Sequence, residues 1–137
     1  MRCSLIIPAY NAEPSLASCL RSALSQSLPR KDYEIILVDD GSVDNTRKIA
    51  ESFPITYYHQ ENRGPAVARN RGAQAATGEI LIFTDSDCLL DFDFLKNIVA
   101  PIEQNPEVVG AQGSYKTRQK EFKIGRASCR ERVSIEV

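Results

Sequence analysis

The feature that most constrains this chain is an alternation. Four short apolar runs, "CSLII" (3–7), "EIILV" (34–38), "ITYYH" (55–59) and "EILIF" (79–83), are separated by segments of helical spacing. A continuous aliphatic, β-branched run of this length reads as a strand covered on both faces. Between the first two runs, Leu16, Cys19, Leu20, Ala23 and Leu24 recur at i, i+3, i+4, i+7 and i+8, which is one face of a helix. Parallel neighbours need a crossover, and a helix supplies it. The alternation therefore predicts an α/β fold: a mostly parallel sheet, Rossmann-like, with helices on both faces.

Turn chemistry refines the boundaries. Pro8 is expected to stop the first strand, Pro14 suits the first turn of the helix that follows, and Pro29 lies beyond its end. Asp39-Asp40-Gly41-Ser42 breaks the second run, with Ser42 or Asp44 capping a helix over about 44–52. Gly64-Pro65 opens a small-residue helix, "PAVARNRGAQAAT", expected to end with Gly78 as its C′ residue and to pack closely on the sheet. Leu95, Ile98, Val99 and Ile102 mark a last helix, with Asp91 and Asp93 as acids of its first turn. "EVVGAQGSY" is the expected fifth strand.

Composition excludes several classes. No apolar run approaches the roughly 18–20 residues of a membrane span. "SLIIPAY" is too short for a secretory h-region and lacks a cleavage pattern behind it. The expected location is cytoplasmic, with room for peripheral association at the inner membrane face in a longer protein. The four cysteines form no CxxC pair, and His59 is the single histidine, a pattern that argues against zinc. Cys3 and Cys19 sit among apolar residues and read as core side chains. Residues 1–115 hold 10 basic and 15 acidic residues, so this body has no electrostatic reason to bind nucleic acid. Residues 116–137 reverse the balance, and "KIGRASCRERVSIEV" has no strand or helix period. They are set apart as a non-native or disordered tail, and residues 1–115 are taken as the functional part.

In open α/β sheets, ligands sit beyond the carboxyl ends of the strands. Three such ends here carry "PAYNAE", "DDGSVD" and "DSD". Glu13, Asp39, Asp40, Asp85 and Asp87 would then line one rim. Like charges that close raise each other's pKa unless a cation or a donor compensates. The available compensators are a divalent metal and the arginines Arg63, Arg69 and Arg71. An all-oxygen site suits Mg2+ or Mn2+, and Mg2+ takes one or two carboxylates and completes its shell with water and phosphate. A diphosphate is the natural partner of such a metal. Singly, each motif also has a plain reading as a turn, a cap or a solvated loop; Tyr10 reads equally as a packing residue and His59 as structural. Their joint placement at successive strand ends is what points to a site. GxGxxG and GxxxxGK are both absent, which removes dinucleotide-binding and P-loop readings. "DSDCLLD" carries Leu89 at loop position five, where an EF-hand needs a ligand, and Leu90 where it needs a glycine. An acid pair after the first strand, as in receiver domains, and a Gly-rich loop there, as in nucleotidyltransferases, are missing too.

Taken together, "SLIIPAYNAEPSLASCLRSALSQS", "YEIILVDDGSVDNT" and "NRGPAVARNRGAQAATGEILIFTDSD" resemble the amino-terminal part of family 2 glycosyltransferases of the GT-A fold. The resemblance runs from about Cys3 to Tyr115. It implies inverting, metal-assisted transfer of a sugar from a nucleotide diphosphate sugar, usually a UDP-sugar, to a hydroxyl of a saccharide or lipid-linked saccharide. By motif, Pro8, Ala9, Tyr10 and Glu13 would border the nucleoside. Asp40 would accept a hydrogen bond from the base, with Asp39 beside it. Arg69 would lie near the pyrophosphate, Asp85 near the ribose, and Asp87 would hold Mn2+ or Mg2+, with Asp85 beside it. The family's catalytic base lies further along, and nothing after Tyr115 resembles that segment. The chain is thus expected to bind nucleotide and metal and to transfer sugar poorly. An inactive nucleotide- and metal-binding fragment, or a related nucleotidyltransferase, is the alternative.

Overall fold

The computed structural model describes residues 2–114 and 134–135. A first compact unit extends to Asp93. It contains β1 (Cys3–Ala9), α1 (Glu13–Leu24), β2 (Tyr33–Asp39), α2 (Thr46–Glu51), β3 (Thr56–His59), α3 (Pro65–Ala75) and β4 (Ile80–Phe83). The four strands form one sheet in the order β3-β2-β1-β4, and every pairing is parallel. The register sets Cys3 opposite Tyr33 and Ala9 opposite Asp39. The second unit begins at Phe94 and holds α4 (Phe94–Gln104), β5 (Ala111–Gln112) and β6 (Ser134–Ile135).

The two central strands, β1 and β2, are buried on both faces, while the edge strands β3 and β4 are only partly covered, with Leu81 42% and Phe83 46% exposed. Ile36, Val38 and Ala68 form one cluster, with Tyr58, Ala75 and Ala76 packed against it. Gly72 of α3 lies so close to β1 that a Cβ there would stand 2.4 Å from Ile6 Cγ2. That is the close helix–sheet packing expected of a small-residue helix. At the alternate positions Leu5, Ile7, Ile35 and Leu37 are buried as completely. Side chains alternate along a strand, so the opposite face is covered too. Each such aliphatic side chain contributes roughly 1.5–3 kcal/mol on burial, which is why continuous runs suit these positions.

Four features differ from the sequence expectation. Pro8 does not stop β1, which continues to Ala9. Ile6 O accepts from Thr84 N–H and Ala9 O from Asp40 N–H, so the proline nitrogen faces the β4 side. The ladder there ends at the Ile6–Phe83 pair, and the missing N–H costs no hydrogen bond. Gly78 is not a C′ residue, since α3 ends at Ala75 with Ala76 extended. It is a glycine because the chain entering β4 crosses β1 closely: a Cβ would lie 2.5 Å from the Cys3 carbonyl carbon. The expected fifth strand shrinks to Ala111–Gln112, paired antiparallel with Ser134–Ile135 in a separate ribbon. Gly110 and Gly113 flank that pair, and glycine weakens strand structure. Asp91 and Asp93 precede α4 and are not in its first turn. The tail at 116–137 lies outside the described residues, apart from β6.

Gly78→Ala is expected to lower unfolding stability by about 3 kcal/mol, because the added methyl meets immovable backbone. Gly110→Ala, which has open space around it, should stay close to wild type. Urea unfolding of both variants checks this.

Candidate functional site

A cleft of about 580 Å³ opens at the carboxyl edge of the sheet. Pro8, Ala9 and Tyr10 form one wall, Asp40, Asn62 and Gly64 the next, and Arg69, Asp85, Ser86 and Asp87 the mouth. Tyr10 is 53% exposed, so it is presented to the cleft and not packed away. Seven of the nine residues singled out from sequence line this space. Glu13 and Asp39 do not line it.

Asp40 is 3% exposed, yet it is well supplied with donors. Its Oδ1 accepts from Gln60 Nε2 (2.8 Å) and Arg63 N–H (2.8 Å), and its Oδ2 from Gly64 N–H (2.9 Å). Gly64 reaches this position at φ 96°, where a side chain would be strained. Burial pushes the Asp40 carboxyl up, but the three donated bonds outweigh it and hold the pKa below the ordinary value. A carboxylate offers about four acceptor positions, so one on Oδ2 is left for a ligand.

Asp39 is turned into the structure. Its Oδ1 accepts from Ser42 N–H (2.9 Å) and its Oδ2 from the Tyr57 hydroxyl (2.7 Å), with His59 Nδ1 3.7 Å away. Burial and this acidic acceptor push the Tyr57 hydroxyl pKa up. Glu13 joins two loops: its carboxylate accepts from Asn45 N–H (3.1 Å) and Asn45 Nδ2 (2.9 Å). The same seam holds Asn11 N–H to Ser42 Oγ (2.9 Å), Val43 N–H to Asn11 Oδ1 (2.9 Å) and Ala12 N–H to Thr46 Oγ1 (2.8 Å). Asp44 accepts from Glu13 N–H, Thr46 N–H and Thr46 Oγ1. These bonds tie the loop after β1 to the loop after β2 and fix the Pro8–Tyr10 wall. Asn11, Thr46 and Gln60 were not legible as site residues; each is a common turn or strand-end residue, and only the fold brings it to its partner.

At the mouth, Arg69 Nη2 donates to Asp85 Oδ1 at 2.8 Å. Of the three arginines expected near the acids, it is the one that pairs with the DSD segment. Arg71 Nη1 instead donates to the His59 carbonyl (2.6 Å) and lies over the Tyr58 ring. Arg63 contributes its backbone N–H to Asp40. Asp85, Asp87 and Cys88 offer one donor atom each within 4.8 Å of one another, a set that could hold a cation. Two carboxylates match the hard-ion preference of Mg2+ and Mn2+, and the thiol adds a softer donor that the sequence reading did not foresee.

The fold has known counterparts. Residues 4–135 match the family described as Glycosyl transferase family 2, and the chain belongs to that family. It is 37% identical over 105 residues to Glycosyltransferase AglE of Haloferax volcanii, covering 72% of this chain and 34% of AglE. Staphylococcus aureus TarS 1-349 in complex with UDP superimposes with a TM-score of 0.71 at 33% identity, covering 76% of this chain and 32% of that one. Mannosyltransferase PcManGT from Pyrobaculum calidifontis, in complex with GDP-Man and Mn2+, gives 0.69 at 34% identity, covering 85% of this chain and 36% of that one. The parallel sheet with its flanking helices is of the GT-A type these structures share. The chain spans about a third of the length of these relatives.

Three carboxyls, Asp40, Asp44 and Glu34, share one pattern: burial raises the pKa and donated hydrogen bonds overcome it, leaving it below the ordinary value. Stability from such groups is whole above the unfolded pKa and is lost as pH falls through the depressed folded value. The melting temperature should therefore hold from neutrality to about pH 5 and fall below about pH 4. Asp40→Asn puts an amide N–H2 against existing donors and should cost about 1–3 kcal/mol at pH 7. It should also flatten the acid limb, as thermal melts across pH would show.

Proposed function

We propose that this chain forms the donor-binding part of an inverting, metal-assisted glycosyltransferase that takes a nucleoside diphosphate sugar, a UDP-sugar foremost. The observation that carries the reading is the convergence of Asp40, Arg69, Asp85 and Asp87 on one cleft beside the Pro8–Tyr10 wall. The free acceptor position on Asp40 suits a base N–H, and Tyr10 offers an exposed ring as a flat neighbour. Arg69 supplies the positive charge for the diphosphate, and Asp85 is placed between it and Asp87. Glu13 and Asp39 act from behind, as supports of the loops that border the nucleoside.

Asp87 and Asp85 would hold Mn2+ or Mg2+, with the Cys88 thiol adjacent. Such an ion would neutralise charge developing on the departing diphosphate. Support for the donor class comes from the relatives: TarS structures hold UDP and UDP-GlcNAc, and PcManGT holds GDP-Man and Mn2+. Transfer to an acceptor hydroxyl needs a general base. In this reading the base and the acceptor site come from a segment other than residues 1–115, and the acceptor is a saccharide or lipid-linked saccharide. No helix among the described residues is long and apolar enough to cross a membrane.

Isothermal titration with UDP, with and without Mn2+, tests the proposal. Mn2+ is expected to tighten UDP binding by about tenfold or more, and Asp87→Ala should abolish that gain while leaving metal-free binding near wild type. Arg69→Met should weaken UDP with and without metal. A folded chain that ignores UDP in both conditions would overturn the reading.

A further inference from the structure

A turn that carries two carboxylates into a cleft must be held against their mutual repulsion. Residues 85–92 are held from one side, by α1 and the residues just after it. Ser15 Oγ donates to the Ser86 carbonyl (3.1 Å), and Cys19 Sγ donates to the Asp85 carbonyl (3.6 Å). Ser22 Oγ accepts from Leu90 N–H (3.0 Å), and Gln26 Nε2 donates to the Asp91 carbonyl (2.9 Å). Ser27 N–H extends the series to the Phe92 carbonyl (2.8 Å). Ser15, Cys19, Ser22 and Gln26 stand four, three and four residues apart, so they form one stripe. The 85–92 backbone runs alongside that stripe.

The stripe is not explained by helix formation or by packing. Alanine would serve both at Ser15 and Ser22. The Ser22 hydroxyl donates to the Cys19 carbonyl (2.7 Å), which aims its lone pair at Leu90. The turn closes on itself through Cys88 N–H to the Asp85 carbonyl (3.2 Å), the same oxygen that Cys19 reaches. With its backbone engaged by α1, the turn leaves the side chains of Asp85 and Asp87 to line the cleft.

We propose that Ser15, Cys19, Ser22 and Gln26 are positioning residues for the cation half of the site. By fixing the backbone of 85–92 they set the spacing at which Asp85 and Asp87 hold a divalent ion. The inference rests on the donor-site reading above, and it concerns the metal-dependent part of binding alone. The nucleoside wall and Asp40 are held by other bonds, and of the stripe only Ser15 lines the cleft, so metal-free nucleotide binding does not depend on Cys19, Ser22 or Gln26.

The test is Mn2+ titration followed by electron paramagnetic resonance at saturating UDP, alongside metal-free UDP affinity. In Ser22→Ala/Gln26→Ala, neither residue lining the cleft, Mn2+ affinity should fall about tenfold while metal-free UDP affinity stays within about twofold. Ser22→Thr, which keeps the hydroxyl, should retain wild-type Mn2+ affinity, and the Leu90 amide should exchange hydrogen faster in Ser22→Ala only. If the double variant does not fold, Cys19→Ala against its Cys19→Ser rescue makes the same comparison beneath Asp85. Unchanged Mn2+ affinity in the alanine variants, or a parallel fall in metal-free UDP affinity, would overturn the positioning role. A wild-type chain that binds neither Mn2+ nor UDP would overturn the donor-site reading and this role with it.

Discussion

The site depends first on the seven-residue parallel pairing of β1 with β2. That register sets Ala9 against Asp39 and passes directly into Asp40 N–H to Ala9 O at 2.8 Å and Gln60 N–H to Asp39 O at 2.9 Å. Three chain exits are thereby laid side by side at one edge. A slip of one residue would turn Ile36 and Val38 away from α3 and exchange the directions of Asp39 and Asp40. Burial of both faces makes such a slip costly, so the core specifies the rim. The close approaches at Gly72 and Gly78 belong to the same constraint: they admit α3 and β4 to the central pair at a spacing any side chain would prevent.

The second constraint is electrostatic. Five acids collect at this edge, and each finds a different answer to the repulsion. Asp40 is surrounded by three N–H donors, Asp39 is bound by Ser42 and Tyr57, Glu13 is spent on Asn45, and Asp85 is paired with Arg69. Among the described residues, the hydrogen-bond partner of the Asp87 carboxylate is the Cys88 thiol, 3.9 Å away. The site thus divides into carboxylates that build the cleft and carboxylates left at its surface. A buried acid costs little where backbone donors are prearranged, and an exposed one keeps its capacity for a cation.

Much of this was legible in the residues. The four apolar runs became the four strands: "CSLII" and "EIILV" form the central pair covered on both faces, and "ITYYH" and "EILIF" form the part-exposed edges. Leu16, Cys19, Leu20 and Ala23 form the buried face of α1 as their spacing requires. The strand-end motifs fell at the cleft, because a parallel sheet puts all its carboxyl ends on one edge. Pro8, Gly78 and "EVVGAQGSY" misled for a common reason. Each was judged by local propensity, and each was decided by a neighbour distant in sequence: the end of the β4 ladder, the backbone of Cys3, and Ser134–Ile135.

The sequence by itself determined the class of fold, the edge at which chemistry collects and the residue types available there. Periodicity and strand-end position follow from covalent geometry and burial alone. Only the tertiary structure decided how those residues divide the work. Asp39 and Asp40 are adjacent and chemically identical, yet one is tied to Tyr57 and the other opens on the cleft. Cys19 looked like a core side chain, and it is one, but its sulfur also holds the Asp85 carbonyl. A hydrogen bond between residues 66 positions apart leaves no periodic trace in a chain, because it is set by where two elements meet and not by what either would form alone.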